Sequence, residues 1–260
     1  MSRVTDKGKV PERSAYIIER TLRVSRGLFS RTPDSLPMRS PLFSSNPLKR
    51  WVVTRRLHLI AGMIESVVST ESVLDFGTGF GVLLPVLASK FRTVTAVDVD
   101  ADQLESTRTL VSSLGLAHVD VIRVTEGQEL GALGDRRFDC VIAADVLEHI
   151  ENLPEAVVTL SKVCKTGGCL IVSLPTENIL YRMFESHESG HVAESSEAIS
   201  RIVATIQNHF EVIETRNVFW FFRVHRCVKR VTPQGGSNSH ETGWQGGAKW
   251  TTKNGRMSPS

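Results

Sequence analysis

The stretch Val73-Leu74-Asp75-Phe76-Gly77-Thr78-Gly79-Phe80-Gly81 constrains this chain more than any other. An apolar run enters three glycines at alternate positions, and an apolar helical pattern follows. Glycine at such positions lets the backbone turn tightly and lets another group approach closely. The helix that follows would present unbonded N–H groups and a positive dipole end to an anionic ligand group. Strand, glycine turn and helix in this order open a parallel sheet covered by helices, and the end of its first strand is where such sheets bind ligands.

The spacing narrows the ligand. A dinucleotide fingerprint, G-x-G-x-x-G, would need glycine at position 82, which is Val82. Asp75 stands immediately before the turn, where a carboxylate would repel a pyrophosphate and attract a cationic ammonium or sulfonium. The second strand reads Thr93-Val94-Thr95-Ala96-Val97-Asp98, and a carboxylate at that strand end can accept both hydroxyls of a ribose. Asp100, just before Ala101 and Asp102, is the better placed residue for capping the next helix.

From Ser72 onward the rhythm is regular. Strands are expected at Ser72–Phe76, Thr93–Asp98, Val119–Val124, Phe138–Ala143 and Cys169–Leu174, with helices at Val82–Lys90, Asp102–Leu114 and Leu153–Cys164 between them. Such alternation means a parallel sheet with both faces covered. A helix near Glu194–Asn208 precedes two more strand-like runs, Glu211–Thr215 and Val218–Val224. Joined at Arg216-Asn217, they would form an antiparallel hairpin closing the sheet edge, with Trp220-Phe221-Phe222 in a buried closing strand. Ahead of the sheet, Pro47 to about Ser69 carries Trp51, Val52, Leu57, Leu59, Ile60, Met63 and Ile64 at helical spacing.

Three segments follow: a basic N-terminal extension or cap over 1–46, an α/β domain over 47–228, and a tail over 229–260. The tail is Gly/Ser/Thr/Lys-rich without a period, contains Trp244 and Trp250, and reads as disordered. Residues 1–50 hold eleven Lys/Arg against four acids. That stretch suits a cap on the site, contact with an acidic substrate, or contact with an anionic membrane surface, set against a simple solvated amphipathic helix. The whole chain of 260 residues carries +3 at pH 7, too balanced to suggest a nucleic-acid partner, and its 41% hydrophobic residues suit a folded domain. Cys140, Cys164, Cys169 and Cys227 form no CxxC pair, so they read as reduced core thiols of a cytoplasmic protein. No apolar run reaches the roughly 18 residues of a membrane span, and MSRVTDKGKVPERS lacks a secretory apolar core.

Five motifs in order make the chain resemble the class I S-adenosylmethionine-dependent methyltransferases: LDFGTGFG (74–81), AVDVD (96–100), VTEGQEL (124–130), FDCVIAADVLEHI (138–150) and LSKVCKTGGCLIVSLPTEN (160–178). The resemblance covers about Pro47 to Arg226. It implies a doubly wound, Rossmann-like seven-stranded sheet of order 3-2-1-4-5-7-6 with strand 7 antiparallel, and S-adenosylmethionine as cofactor. It places Gly77, Thr78, Gly79 and Gly81 beside the methionine part, Asp75 near the amino group, Asp98 and Val99 at the ribose and Glu126 at the adenine amine. Ala144 and Asp145 would lie near the methionine and the methyl group. Val146-Leu147-Glu148-His149-Ile150 resembles a stretch common in small-molecule methyltransferases. The Asn/Asp-Pro-Pro-aromatic motif of base-methylating relatives is missing.

The implied activity is methyl transfer to a small-molecule acceptor, at oxygen, by in-line displacement. Proximity and orientation carry most of such a reaction, and a hydroxyl or amine acceptor can require a general base. His149, His187, His191 and Asp145 are the candidates, although His149 also reads as a helix-start histidine that packs beside the cofactor. Tyr181, His187 and His191, in the long connection after the fifth strand, are candidate acceptor contacts. His187-Glu188-Ser189-Gly190-His191 also spells H-E-x-x-H, the zinc-peptidase pattern, but Ser186, Ser189 and Gly190 disfavour the helix that pattern needs, and no metal site is expected. A non-catalytic cofactor-binding module of the same fold is the third reading.

Overall fold

The computed structural model of the chain describes residues 11–30, 40–124, 130–176 and 196–231. The expected tail from 232 onward, with Trp244 and Trp250, lies outside the described residues. Seven strands form one sheet in the order β3-β2-β1-β4-β5-β7-β6. They are β1 Ser72–Phe76, β2 Thr93–Asp98, β3 Val119–Arg123, β4 Phe138–Ala144, β5 Cys164–Pro175, β6 Phe210–Val218 and β7 Phe222–Lys229. The first five pair in parallel, whereas β7 runs antiparallel to both β5 and β6. Among the described residues six α-helices flank the sheet: α1 Glu12–Phe29, α2 Pro47–Glu65, α3 Leu84–Lys90, α4 Ala101–Ser113, α5 Leu153–Val163 and α6 Ser196–Gln207.

Alternation along each strand divides the core in two. Val73, Cys140, Ile142, Ile171 and Val224 face a cluster built with α2 and α3, which Ile18 of α1 joins. Leu74, Phe76, Val141, Ala143, Leu170 and Val172 face the opposite cluster, built with α5 and α6. Strands covered on both sides read as continuous apolar runs, and that is how β1 and β4 appear in the sequence. Helix α2 starts where Asn46 Oδ1 accepts the N–H groups of Leu48 and Lys49, with Pro47 in the first turn. Its second half, Leu57 and Leu59–Ile64, is buried nearly all round, so it forms a central layer rather than a surface helix. Asp100 caps α4 through the N–H groups of Asp102 and Gln103, as its position suggested.

Three sequence expectations are corrected. Helix α2 ends at Glu65 instead of Ser69, because Ser69 and Ser72 turn to meet Asp139: the two hydroxyls donate to its carboxylate at 2.6 and 2.9 Å. Helix α3 starts at Leu84, not Val82, since the turns Gly81 N–H to Thr78 O and Leu84 N–H to Gly81 O come first. The hairpin turns at Phe219–Phe221 instead of Arg216-Asn217, which lie within β6. Phe221 and Phe222 are buried as expected, but Trp220 sits in the turn, 63% exposed.

Candidate functional site

The C-terminal ends of β1, β2 and β4 converge. β1 delivers Asp75, whose carboxylate is buried and accepts the Thr78 hydroxyl at 2.7 Å. Burial pushes the Asp75 carboxyl up to about 6, and the nearby Asp98 charge adds to this, while the Thr78 hydrogen bond opposes it. Asp98, at the end of β2, is likewise raised by burial, against the hydrogen bonds from backbone N–H groups. Gly79 N–H donates to its Oδ2 at 2.8 Å and Asp100 N–H to its Oδ1 at 3.0 Å. An ionised carboxylate has about four acceptor positions, so both oxygens retain capacity for hydroxyl donors. Two acids, one buried and one half-buried, thus stand at neighbouring strand ends, which favours a cationic ligand group over a phosphate.

Gly77, Gly79 and Gly81 have φ of +76°, +57° and +79°, and the chain loops over Asp98 because only left-handed backbone makes that turn. The space beside two of them is taken by the protein itself. A Cβ on Gly77 would lie 2.5 Å from Val146 Cγ2, and one on Gly81 would lie 2.8 Å from Leu84 Cδ1. Gly77 therefore also locks the β1 loop onto the β4 loop. Thr107 fastens the loop from α4, its hydroxyl donating to Gly79 O at 2.5 Å. Val99 is half-buried in the turn between Asp98 and Asp100.

β4 ends at Ala144, half-buried, and passes into Asp145, a non-glycine residue with φ of +54°. Aspartate tolerates this conformation better than most residues. Ser173 of β5 fixes it twice: Asp145 N–H donates to Ser173 O at 3.1 Å and Ser173 Oγ donates to Asp145 Oδ1 at 3.0 Å. The other oxygen forms an ion pair with Arg56 of α2, whose guanidinium lies 4.6 Å from the centroid of the Phe222 ring. Both Asp145 oxygens are engaged, an arrangement that holds the β4 end in place. His149 ends a 3-10 turn, Leu147–His149, and is exposed.

The structure thus brings Asp75, Gly77, Thr78, Gly79, Gly81, Asp98, Val99, Ala144 and Asp145 to one sheet edge. Glu126, Tyr181, His187, Glu188 and His191 lie outside the described residues. Among the described residues, no group of three or more His, Cys, Asp or Glu side chains could hold a metal ion. Arg56 and Ser173 were not picked out from the sequence, and Phe222 was read only as part of a buried closing strand. Arg56 had a usable signal, because it lies between Val52, Val53 and Leu57 on the buried stripe of α2. A charge so placed needs a partner.

A family model described as a methyltransferase domain matches residues 43–225. The chain belongs to this family. Among curated relatives, this methyltransferase-domain chain is 28% identical over 138 residues to the ubiquinone biosynthesis O-methyltransferase of Klebsiella pneumoniae, covering 53% of each chain. It is 35% identical over 105 residues to an uncharacterized methyltransferase of Mycobacterium tuberculosis, covering 40% of this chain and 50% of that one. The chain therefore spans about half the length of the curated relatives it matches. Among solved structures it is similar to the N-methyltransferase NodS from Bradyrhizobium japonicum in complex with S-adenosylhomocysteine. The TM-score is 0.55 at 18% identity, over 83% of this chain and 98% of that one. The magnesium protoporphyrin IX methyltransferase from Synechocystis gives a TM-score of 0.55 at 19% identity, over 80% of this chain and 99% of that one. Those two likenesses bear on the fold, and they agree with the seven-stranded order expected from the motifs.

Proposed function

We propose that this protein transfers the methyl group of S-adenosylmethionine to a small-molecule acceptor, at oxygen. The observation that carries the reading is a pair of carboxylates, buried Asp75 and half-buried Asp98, beside one left-handed glycine turn. In this reading Asp75 holds the ammonium of the methionine part and Asp98 accepts the ribose hydroxyls. Gly77, Thr78, Gly79, Gly81 and Val99 shape the crevice, and Glu126 meets the adenine. Ala144 and Asp145 flank the methyl group. Tyr181, His187 and His191 would contact the acceptor. Family membership and the O-methyltransferase name of a relative support the reading. When bound, the cofactor supplies an already activated methyl group, so the task of the chain is to orient the partners and exclude water. The Arg56–Asp145–Ser173 arrangement suits orientation, since it fixes the β4 end against α2 and β5.

The same reading takes 47–228 as the methyltransferase domain, 1–46 as its cap and 229–260 as a tail. The cap is supported by Phe43, whose ring centroid lies 6.1 Å from that of Phe80 in the glycine turn, and by Arg26 of α1, 5.6 Å from the Phe43 ring. The described residues include no helix long and apolar enough to cross a membrane, and all four cysteines are buried and free. We place the protein in the cytoplasm, where such thiols persist. Calorimetry with S-adenosylhomocysteine tests the proposal. The native chain should bind, and Asp98→Ala and Gly79→Val should lose binding while remaining folded. No binding heat with the native chain would sink it.

A further inference from the structure

Three large aromatic side chains stand exposed together at one corner of the molecule. Trp51 on α2 is 47% exposed, and Phe219 and Trp220, in the β6–β7 turn, are 59% and 63% exposed. The ring centroids of Trp51 and Phe219 are 5.4 Å apart at 50°, and those of Phe219 and Trp220 are 6.1 Å apart at 51°. This turn belongs to the same sheet edge as the candidate site. Phe222 pairs with Pro175, the last residue of β5, and Thr176 N–H donates to Phe221 O at 2.8 Å. The corner is also continuous with the site: Arg56, five residues along α2 from Trp51, lies over the Phe222 ring and pairs with Asp145.

The turn is built at a conformational cost. Phe219 has φ of +46°, which a bulky residue rarely adopts and which glycine or asparagine would adopt readily. The strain gains no burial for Phe219 or Trp220. Backbone strain that stability does not explain points to use at a surface.

We propose that Trp51, Phe219 and Trp220 form the platform on which the methyl acceptor lies, and that the acceptor is a planar aromatic ring bearing an acidic group. The proposal rests on the methyltransferase reading above and adds the substrate class. Rings inclined at about 50° and separated by 5–6 Å offer faces and edges to a further ring in the geometry aromatic groups prefer. A quaternary ammonium would also suit aromatic faces, but the charges oppose it. Helix α2 carries Lys49, Arg50 and Arg55 around Trp51, besides Arg56, whose charge Asp145 balances, and its one acid, Glu65, comes at the far end, so the surroundings of Trp51 are positive. A carboxylate or phenolate on the ring matches them.

The test uses the full chain saturated with S-adenosylhomocysteine and reads ligand binding by saturation-transfer NMR. The probes are a set of hydroxylated benzoates and phenols, together with their cyclohexane counterparts. At least one aromatic acid should bind, its saturated counterpart at least tenfold more weakly. Trp51→Ala and Phe219→Gly should each weaken ring binding about tenfold while S-adenosylhomocysteine affinity stays within twofold. Phe219→Gly should also keep or raise the melting temperature, because glycine relieves the turn, so the loss cannot come from unfolding. Equal binding by ring and saturated probes, no binding by any aromatic probe, or unchanged binding in both variants overturns the proposal. So does binding to phosphatidylglycerol vesicles that Trp220→Ala abolishes without affecting the aromatic probes, which would assign the corner to a lipid surface. Failure of the native chain to bind S-adenosylhomocysteine is a different result: it removes the methyltransferase reading itself.

Discussion

At Gly77 two demands meet: a left-handed backbone and a missing side chain that Val146 fills. Alanine there would meet both the conformational penalty, about 1 kcal/mol, and overpacking against Val146, about 1–3 kcal/mol. Gly77→Ala should therefore lower urea stability by about 2–4 kcal/mol. In a Val146→Gly background, which also removes the Val146 Cβ that would lie 2.8 Å from the new methyl, Gly77→Ala should cost only the backbone share, and an undiminished cost there would refute the assignment. Asp75 makes the opposite kind of statement. Its carboxyl, raised to about 6 by burial, is easier to bury protonated, so its contribution to stability is full below about pH 4 and is lost as pH rises through 6. The shift corresponds to about 3 kcal/mol at most. Asp75→Asn should flatten the stability profile between pH 4 and 6. A bound ammonium reverses the preference in favour of the ionised form. Affinity for S-adenosylhomocysteine should be highest near about pH 7 and fall as pH drops below 6, and Asp75→Asn should bind weakly at every pH. At this scale the sequence was readable where chemistry is local: the glycine spacing, Asp75 before the turn, Asp98 at a strand end. It marked Arg56 only as a charge in need of a partner and was silent on Ser173, because the importance of both comes from Asp145, far away in the chain and near only after folding.

At the scale of elements, the strands that start and stop on hydrophobic transitions were legible to the residue, as β1 and β2 show. The hairpin was not. Arg216 and Asn217 look like turn residues, but they belong to β6, the edge strand: Asn217 faces solvent, and Arg216 is half-buried because Glu214 takes its guanidinium at 2.7 Å. The true turn is aromatic, and no turn propensity marks Phe219 for a left-handed conformation. The other end of the sheet depends on a polar clamp that hydrophobic patterning could not show. Asp139 of β4 accepts hydrogen bonds from the Ser69 and Ser72 hydroxyls, from Ser72 N–H and from Lys165 Nζ, all between 2.6 and 2.9 Å. Burial pushes this carboxyl up, but the hydrogen bonds outweigh it and bring it down to about 2. Here the sign is that of a depressed acid: the stabilisation is present above about pH 4 and is lost as pH falls through 2. It amounts to about 2 kcal/mol. Asp139→Ala should lose at least that much at pH 7 and show a flatter acid limb in denaturation. An acid limb identical to that of the native chain would mean that other carboxylates drive it.

The whole molecule consists of two cores sharing one sheet, and the four thiols report on both. Cys140 and Cys169 lie in the core with α2 and α3, Cys164 and Cys227 in the core with α5 and α6. All four are buried; burial pushes the Cys164 and Cys227 thiols up to about 12 and Cys140 well above its ordinary range, whereas the contact with Cys140 Sγ at 3.1 Å holds Cys169 below its own. Even the more readily ionised Cys169 is enclosed, so each thiol reacts only when its surroundings open. Every strand of the parallel sheet contributes side chains to both faces, so one core can hardly open while the other stays closed. The expectation is a single slow alkylation rate for all four cysteines, followed by mass spectrometry. Where reclosing outpaces labelling, that rate tracks the open population, and a ligand that binds only the folded chain lowers the population in proportion to occupancy. S-adenosylhomocysteine at a hundred times its dissociation constant should therefore slow all four together by about a hundredfold, equivalent to about 2.7 kcal/mol. Protection confined to Cys140 and Cys169 would show instead that the two faces open independently, and that the glycine turn and its neighbours stabilise only the α2–α3 side.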